Sequence, residues 1–198
     1  MPQDPLPVRL LVIPGLNNSG PAHWQTWLEG QFAGALRVHQ RDWAHADLEA
    51  WGQAIVHTVA AAPPARWVAV AHSFGCLALA RAVGQGWLEQ TVSEGPSLAA
   101  ALMVAPADPE KFEVASALPQ TPWALPSVLL GSETDPWMAL AQAREWARRW
   151  GSHFVNLGPA GHVNVASGHG PFLQAKTLVS LLVHRVQRQG TELRQQAA

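Results

Sequence analysis

Hydrophobic and polar positions alternate along the chain in a way that predicts a parallel sheet with crossover helices. Short aliphatic and β-branched runs, each as long as a buried strand, are separated by longer stretches whose apolar positions recur every three or four residues. The predicted fold class is therefore α/β, a three-layer α/β/α sandwich with a mostly parallel six-stranded sheet. The predicted strands cover residues 9–14, 36–40, 67–71, 100–105, 127–131 and 154–157.

The longer amphipathic stretches predict the helices that cover this sheet. The first helix is expected to begin near Pro21, because proline suits the first helical position. The second is expected to follow Asp47, a typical N-cap residue, with Leu48, Trp51 and Ile55 along one stripe. Further helices are predicted at 76–83, 138–150 and 171–187.

The pattern leaves room for a single domain. Residues 106–125 are rich in proline and lack periodicity, which predicts a loop or small flap and no large lid. One domain is expected over residues 1–188, followed by a frayed polar tail at 189–198.

Composition and charge narrow the expected partners. The formal net charge is -1, from 13 basic and 14 acidic residues without a run of like charge, which argues against nucleic acid or an anionic membrane surface. The first fifteen residues lack the apolar run of a signal peptide, so a cytoplasmic location is expected. The lone Cys76 cannot form an internal disulfide, offers no cysteine-rich metal site and is expected to pack in the core.

The pentapeptide Ala71-His72-Ser73-Phe74-Gly75 lies where the clearest predicted strand joins the helix behind it. This context is typical of a nucleophile elbow, in which a strained backbone lifts a serine hydroxyl above the sheet edge. Small residues two positions before and after the serine prevent clashes, and Ala71 replaces the usual glycine at the first of these. Ser73 is the predicted nucleophile, and the alternative is that it only caps its helix.

A serine hydroxyl hardly ionises at neutral pH, so a nucleophilic serine needs a histidine base and an acid. In this architecture the order along the chain is serine, acid, histidine. The fifth strand leads into Asp135 and the sixth into His162, and both loops are expected at the sheet edge that carries Ser73. Weaker alternatives are Glu133 and Asp108 for the acid, and His153 and His169 for the base.

Acyl transfer also requires backbone donors for the developing oxyanion. One is predicted to be the N–H of Phe74, and the other the N–H of Leu16 or Asn17 in the loop after the first strand. That loop has two glycines, as a P-loop does, but Pro21 and Ala22 stand where Lys and Ser or Thr would be required. No GxGxxG follows the first strand, so neither a nucleotide nor a dinucleotide cofactor is expected.

Three stretches carry a resemblance to a known family. They contain Pro14-Gly15 with Ser19 and His23-Trp24, then residues 72–76, then 161–170 in the form GHxNxxSGxG. With these residues the chain resembles the small serine hydrolases of the retinoblastoma-binding protein 9 type, a compact branch of the α/β-hydrolase fold, over nearly the whole domain. The third stretch is the most specific, and Asp135 resembles the family's acid position. The resemblance implies a six-stranded core, no lid domain and no cofactor.

We therefore expect a serine hydrolase that cleaves small carboxylic esters or activated amides through a Ser-His-Asp triad and an acyl-enzyme intermediate. The family resemblance does not name one substrate. Two alternatives stay open, a catalytically weak binding module built on a hydrolase fold and an acyltransferase that uses the same triad. No nucleic-acid or membrane partner is expected, and the sequence gives no support for a protein partner.

Overall fold

A computed structural model describes residues 6–88 and 97–197 of the chain. Their strands form one six-stranded sheet of order β2-β1-β3-β4-β5-β6, in which all neighbouring strands run parallel. The strands are β1 (Val8–Ile13), β2 (Leu36–Arg37), β3 (Arg66–Ser73), β4 (Ser97–Pro106), β5 (Ser127–Gly131) and β6 (His153–Asn156). The predicted number of strands is confirmed, although β2 is shorter and β4 longer than the sequence pattern indicated.

The predicted helices are present with shifted ends. They are α1 (Trp24–Glu29), α2 (Leu48–Ala61), α3 (Phe74–Gly84), α4 (Leu140–Trp150) and α5 (Leu173–Ala197), with short 3₁₀ turns at Ala115–Ala117 and Val165–Ser167. Asp47 caps α2 as predicted, because its Oδ1 accepts the N–H of Ala50 at 2.9 Å. None of the helices within the described residues is long and apolar enough to cross a membrane.

The first and the last helix differ most from the prediction, each at one end. The first begins at Trp24 instead of near Pro21, because His23 in extended conformation caps it by accepting the Gln25 N–H at 3.2 Å. The last was expected to end near residue 187 but continues to Ala197. It therefore occupies most of the predicted tail, of which residue 198 lies outside the described part; the fraying itself stays a prediction.

The sheet separates two hydrophobic clusters, which confirms the three-layer sandwich. Successive residues of β1 point to opposite faces, as strand geometry requires. On one face the core includes Ile55, Leu77 and Trp146 from α2, α3 and α4. On the other it includes Leu28 and Val179 from α1 and α5. Cys76 is buried and unpaired in the first cluster, and burial raises the pKa of its thiol, so it is a packing residue as predicted.

All strands of this sheet end at the same edge, so the segments that follow them meet there. We name them by the strand they follow: the β1 loop (14–23), the β4 loop (107–126), the β5 loop (132–139) and the β6 loop (157–164). Ser73 lies at the same edge, at the junction of β3 and α3. The β4 loop contains only one turn of 3₁₀ helix, which agrees with the predicted absence of a large lid.

Candidate active site

The backbone at Ser73 has the strained conformation of a strand-to-helix turn. Its φ is 54° and its ψ is -126°, a backbone conformation that residues other than glycine rarely adopt. Although Ser73 occupies the N-cap position of α3, its side chain makes no capping hydrogen bond. The alternative in which Ser73 serves only as a helix cap is therefore wrong.

Two glycines allow the chain to pack tightly around this turn. A Cβ on Gly75 would lie 2.4 Å from the carbonyl oxygen of Pro14, and one on Gly15 would lie 2.7 Å from the Cβ of Ser73. Neither position has room for a side chain, because both distances are far below carbon contact distances of about 3.5 Å. The two glycines thus bring the β1 loop directly against the serine.

The structure brings together Ser73, His162 and Asp135, the three candidate residues named from the sequence. The Nε2 of His162 lies 3.0 Å from the Oγ of Ser73, and its Nδ1 lies 2.9 Å from the Oδ2 of Asp135. The Asp135 side chain is 2% exposed, and its Oδ1 also accepts the backbone N–H of Trp137 at 2.9 Å. These contacts have the geometry that a nucleophile, a base and an orienting acid require.

The alternative acids lie in other environments. Glu133 belongs to the β5 loop, but its carboxylate accepts the side-chain amide of Asn156 at 2.8 Å. Asp108 is buried in the β4 loop and accepts the backbone N–H of Glu110 at 3.0 Å. Within the described residues, neither carboxylate forms an ion pair with a histidine.

The alternative bases are also placed away from the serine. His153 lies on β6 and is exposed, whereas the Nδ1 of His169 lies 3.1 Å from the carbonyl oxygen of Ser167. Of the three candidate histidines, His162 is the one that contacts Ser73.

Side-chain hydroxyls of the β5 loop, which carries Asp135, bond to the backbone of the β6 loop, which carries His162. The Ser132 hydroxyl accepts the N–H of Ala160 at 3.0 Å and donates to the carbonyl of Gly158 at 3.2 Å. The Thr134 hydroxyl accepts the N–H of Gly161 at 2.9 Å. Acid and base are therefore held together by their own loops, as well as by the contact between their side chains.

The specific 161–170 stretch shapes the β6 loop and the turn behind it. Asn164 and Ser167 form a reciprocal capping box, in which each side chain accepts the other residue's backbone N–H at 3.1 and 2.9 Å. A Cβ on Gly161 would lie 2.6 Å from the Cβ of Ser167, and Gly168 has a φ of 83°. The asparagine, the serine and two of the three glycines of the motif, Gly161 and Gly168, thus have structural roles, and they fix the backbone next to His162.

His72 fixes the same backbone from the other side. Its Nε2 donates to the carbonyl oxygen of His162 at 2.9 Å, and its ring packs 5.0 Å from the His162 ring and 4.9 Å from the His23 ring. Burial, and then the neighbouring His162, lower the pKa of His72 well below its ordinary value, so this donor is a neutral imidazole. Trp24 adds a bond from its indole N–H to the carbonyl of Val163 at 2.8 Å.

The structure distinguishes between the two predicted oxyanion donors of the β1 loop. The N–H of Asn17 is donated to the carbonyl of Trp43 at 2.8 Å, so it is not free to bind a substrate oxygen. The N–H of Leu16 has no such partner among the described residues, and Leu16 lines the cleft beside Ser73. Phe74 is the first residue of α3, where the N–H groups have no acceptor within the helix. The N–H groups of Leu16 and Phe74 therefore remain as the candidate pair of oxyanion donors.

A buried polar network, which the sequence analysis missed, holds the β1 loop in place. The amide of Gln25, fully buried, donates to the carbonyls of Ile13 and Val70 at 3.2 and 2.9 Å and accepts the Ser19 hydroxyl at 2.6 Å. Arg37 donates to the Ser19 carbonyl at 2.7 Å. In the sequence, the only sign of this network is a glutamine among the apolar residues of a short helix. Its partners could not be predicted, because they lie on strands that only the fold brings near.

The cleft around Ser73 has two parts, which share Ser73 and His162. The aromatic chamber, about 500 Å³, is lined by these two residues and by Leu16, Lys111, Phe112 and Trp137. The histidine chamber, about 290 Å³, is lined by the same pair with His23, His72, Asn18 and Val165. Within the described residues, no group of three or more His, Cys, Asp or Glu side chains is placed to hold a metal ion.

Comparison with known proteins identifies the family. A family model described as serine hydrolase matches residues 10–180, which is most of the chain. The chain belongs to the serine hydrolase family. This agrees with the resemblance inferred from the three motifs and confirms that the protein is a hydrolase. The comparison with curated proteins found no match.

Solved structures similar to this serine hydrolase share its fold. A YdeN-like hydrolase from Pectobacterium atrosepticum is 31% identical with a TM-score of 0.82, over 91% of this chain and 92% of that one. The ydeN gene product of B. subtilis is 16% identical with a TM-score of 0.68, over 88% and 97%. A propionate-bound thermophilic esterase from Thermogutta terrifontis is 17% identical with a TM-score of 0.61, over 94% and 85%. The α/β-hydrolase fold predicted from the sequence is thereby confirmed.

Proposed function

We propose that this serine hydrolase cleaves small carboxylic esters or activated amides through an acyl-enzyme intermediate on Ser73, with His162 as general base and Asp135 as the orienting acid. The observation that carries the proposal is the continuous contact from Ser73 Oγ to His162 Nε2 at 3.0 Å and from His162 Nδ1 to Asp135 Oδ2 at 2.9 Å. Both distances are within the range of hydrogen bonds.

The acid determines which nitrogen of His162 can act as the base. An ionised carboxylate only accepts hydrogen bonds, so the proton of the neutral imidazole resides on Nδ1, which faces Asp135. The lone pair on Nε2 then faces Ser73 and can accept the hydroxyl proton as Oγ attacks the substrate carbonyl carbon. The same proton is afterwards delivered to the leaving alcohol or amine, which breaks the ester or amide bond.

The backbone N–H groups of Leu16 and Phe74 would stabilise the negative charge that develops on the carbonyl oxygen. Both belong to segments that the structure holds firmly, since Leu16 lies in the loop fixed by Gln25 and Phe74 opens α3. Water activated by His162 then attacks the acyl group and regenerates the Ser73 hydroxyl.

The dimensions of the cleft favour small acyl groups. The two chambers share Ser73 and open to solvent. The β4 loop lines one of them through Lys111 and Phe112, but it contains only one turn of 3₁₀ helix and is no lid domain. The similar esterase from Thermogutta terrifontis was crystallised with propionate, a short carboxylic acid. Short-chain esters of a good leaving group are therefore the first substrates to test.

A fluorophosphonate probe tests the nucleophile directly. Wild type, Ser73→Ala and the control Ser180→Ala, which changes a serine on α5, would be labelled, and the modified peptide mapped by mass spectrometry. We expect covalent addition at Ser73 in wild type and in the control, and none in Ser73→Ala. The same proteins would be assayed with 4-nitrophenyl acetate, propionate and butyrate.

Each alternative predicts a different result. A folded wild type that is neither labelled nor active on any of the esters would contradict the proposal and favour the binding module. Labelling at Ser73 combined with transfer of the acyl group to an added alcohol or amine, in preference to water, would indicate an acyltransferase.

A further inference from the structure

The aromatic chamber contains two features that catalysis at Ser73 does not use. Trp137, in the β5 loop, is 58% exposed, which is unusual for an indole in a protein whose other large apolar side chains are mostly buried. Lys111, in the β4 loop, is exposed at the same chamber. Because Trp137 and Phe112 line the same chamber as Ser73, with Lys111 as a charged group among them, the chamber has the lining of a ligand site.

Lys111 is held in place but is not neutralised. Its ammonium group donates to the carbonyl of Trp137 at 2.8 Å and lies 3.4 Å from the carbonyl of Pro136. An ammonium has three donors, so at least one is left for another acceptor. In the part of the chain that the structure describes, no carboxylate lies within ion-pair distance of this nitrogen.

The charge around the chambers makes Lys111 the dominant attraction for an anion. It is the one lysine or arginine that lines either chamber, as far as the described residues go. Burial holds the pKa of His72 well below its ordinary value and that of His23 at about 4, so both are neutral near pH 7. The acid at the site, Asp135, is 2% exposed and faces His162 instead of the chamber.

We propose that the aromatic chamber binds substrates that carry a carboxylate, with Lys111 contacting the carboxylate and Trp137 and Phe112 packing against the chain between it and the scissile bond. The substrate class is thus a half-ester or half-amide of a short dicarboxylic acid. The inference rests on the proposed function, because it concerns the substrate of the same serine.

The test compares two esters that differ mainly in charge. They are mono-4-nitrophenyl adipate, which has a free carboxylate, and methyl 4-nitrophenyl adipate, in which that carboxylate is capped; non-enzymatic hydrolysis is subtracted from each. The variants are Lys111→Met, which keeps the apolar stem, and the control Lys176→Met, whose ammonium on α5 contacts Gln31 at 2.9 Å.

We expect kcat/KM of wild type and of Lys176→Met to favour the charged ester by about tenfold, as a hydrogen bond to a charged group would provide. Lys111→Met should lose this ratio through a higher KM for the charged ester, with little change for the neutral one. Raising the salt concentration should reduce the ratio in wild type, because exposed charges are screened.

Equal rates on both esters in wild type would overturn the inference while leaving the proposed function intact. So would an equal loss on both esters in Lys111→Met, since Lys111 would then only hold the carbonyls of Pro136 and Trp137. Absence of turnover of either ester by folded wild type that also resists the fluorophosphonate would overturn the proposed function and this inference together.

Discussion

The close contact between Gly15 and Ser73 makes a sharp prediction about the oxyanion site. In Gly15→Ala, the new Cβ would lie 2.7 Å from the Cβ of Ser73 and 3.0 Å from the carbonyl oxygen of His72. Carbon atoms pack at about 3.5–4.0 Å, so the β1 loop has to move by about 1 Å. The strand and turn opposite it are buried, so we expect the displacement to fall mainly on the partly buried Leu16, next to the residues of the β1 loop that Gln25 holds.

This displacement would carry the N–H of Leu16 away from the substrate oxygen. Loss of one oxyanion donor reduces kcat by about 10²–10³, and a misplacement of about 1 Å alone costs about 10². We therefore expect kcat of Gly15→Ala on 4-nitrophenyl acetate to fall by about 10² or more. Overpacking should also lower the free energy of unfolding by about 1–3 kcal/mol.

Gly30→Ala is the matched control. Gly30 has a φ of -68°, and its added Cβ would meet only the carbonyl of Trp27 at 3.5 Å, an ordinary contact. Its activity should stay within about twofold of wild type, because the new methyl group displaces nothing near Ser73. Its free energy of unfolding should change by about 0.5 kcal/mol or less, as is usual for surface substitutions. Urea denaturation of both variants would separate unfolding from loss of catalysis. The reasoning fails if folded Gly15→Ala is as active as Gly30→Ala.

Three further predictions concern the histidines and the acid. Asp135→Asn should keep the fold but lower kcat by about 10³–10⁴, because the amide no longer selects the His162 tautomer; steady-state kinetics and urea denaturation check both parts. His72→Leu should lower kcat by orienting His162 poorly, and His72→Gln, which keeps a donor, should recover part of it; equal activity of the two variants would contradict a role for the 2.9 Å bond. The free energy of unfolding should fall as pH decreases from 6.5 toward about 4, because burial lowers the pKa of His23 to about 4 and the unfolded chain therefore binds a proton that the folded chain does not. His23→Asn should reduce this slope in urea titrations, and buried His72, whose pKa is also lowered, should account for a remaining part.

The residues proposed as nucleophile, acid and base could be selected from the sequence because their signals are local. Ser73 is marked by small neighbours and by its position between a strand and a helix, and the fixed chain order then selects Asp135 and His162. Parallel strands end at one edge of the sheet. The meeting of the loops after β5 and β6 with the Ser73 turn can therefore be predicted before any side-chain contact is known. The six-stranded parallel sheet and its covering helices could be predicted because short buried strands alternate with amphipathic stretches along the chain.

The parts that the sequence did not reveal depend on contacts between distant residues. Asn17 and Leu16 are equivalent candidates until Trp43, in a loop without periodicity, is seen to accept one of the two N–H groups. Gln25 reaches the carbonyl of Val70, which is 45 residues away, and His72 reaches that of His162, 90 residues away. No periodic or compositional pattern encodes such pairs, because each needs the finished fold to place one partner beside the other.

The residues that position the proposed catalytic groups differ from those that line the aromatic chamber in how freely they can be replaced. The groups proposed to perform catalysis are positioned by the hydroxyls of Ser132 and Thr134, which hold the backbone of the β6 loop, and by glycines that have no room for a side chain. Changes there would move the reacting atoms. Lys111 and Trp137 instead project into the aromatic chamber from exposed positions, so they can be replaced without disturbing the core. Substrate preference should therefore change by substitution at these two positions while the chemistry at Ser73 is retained.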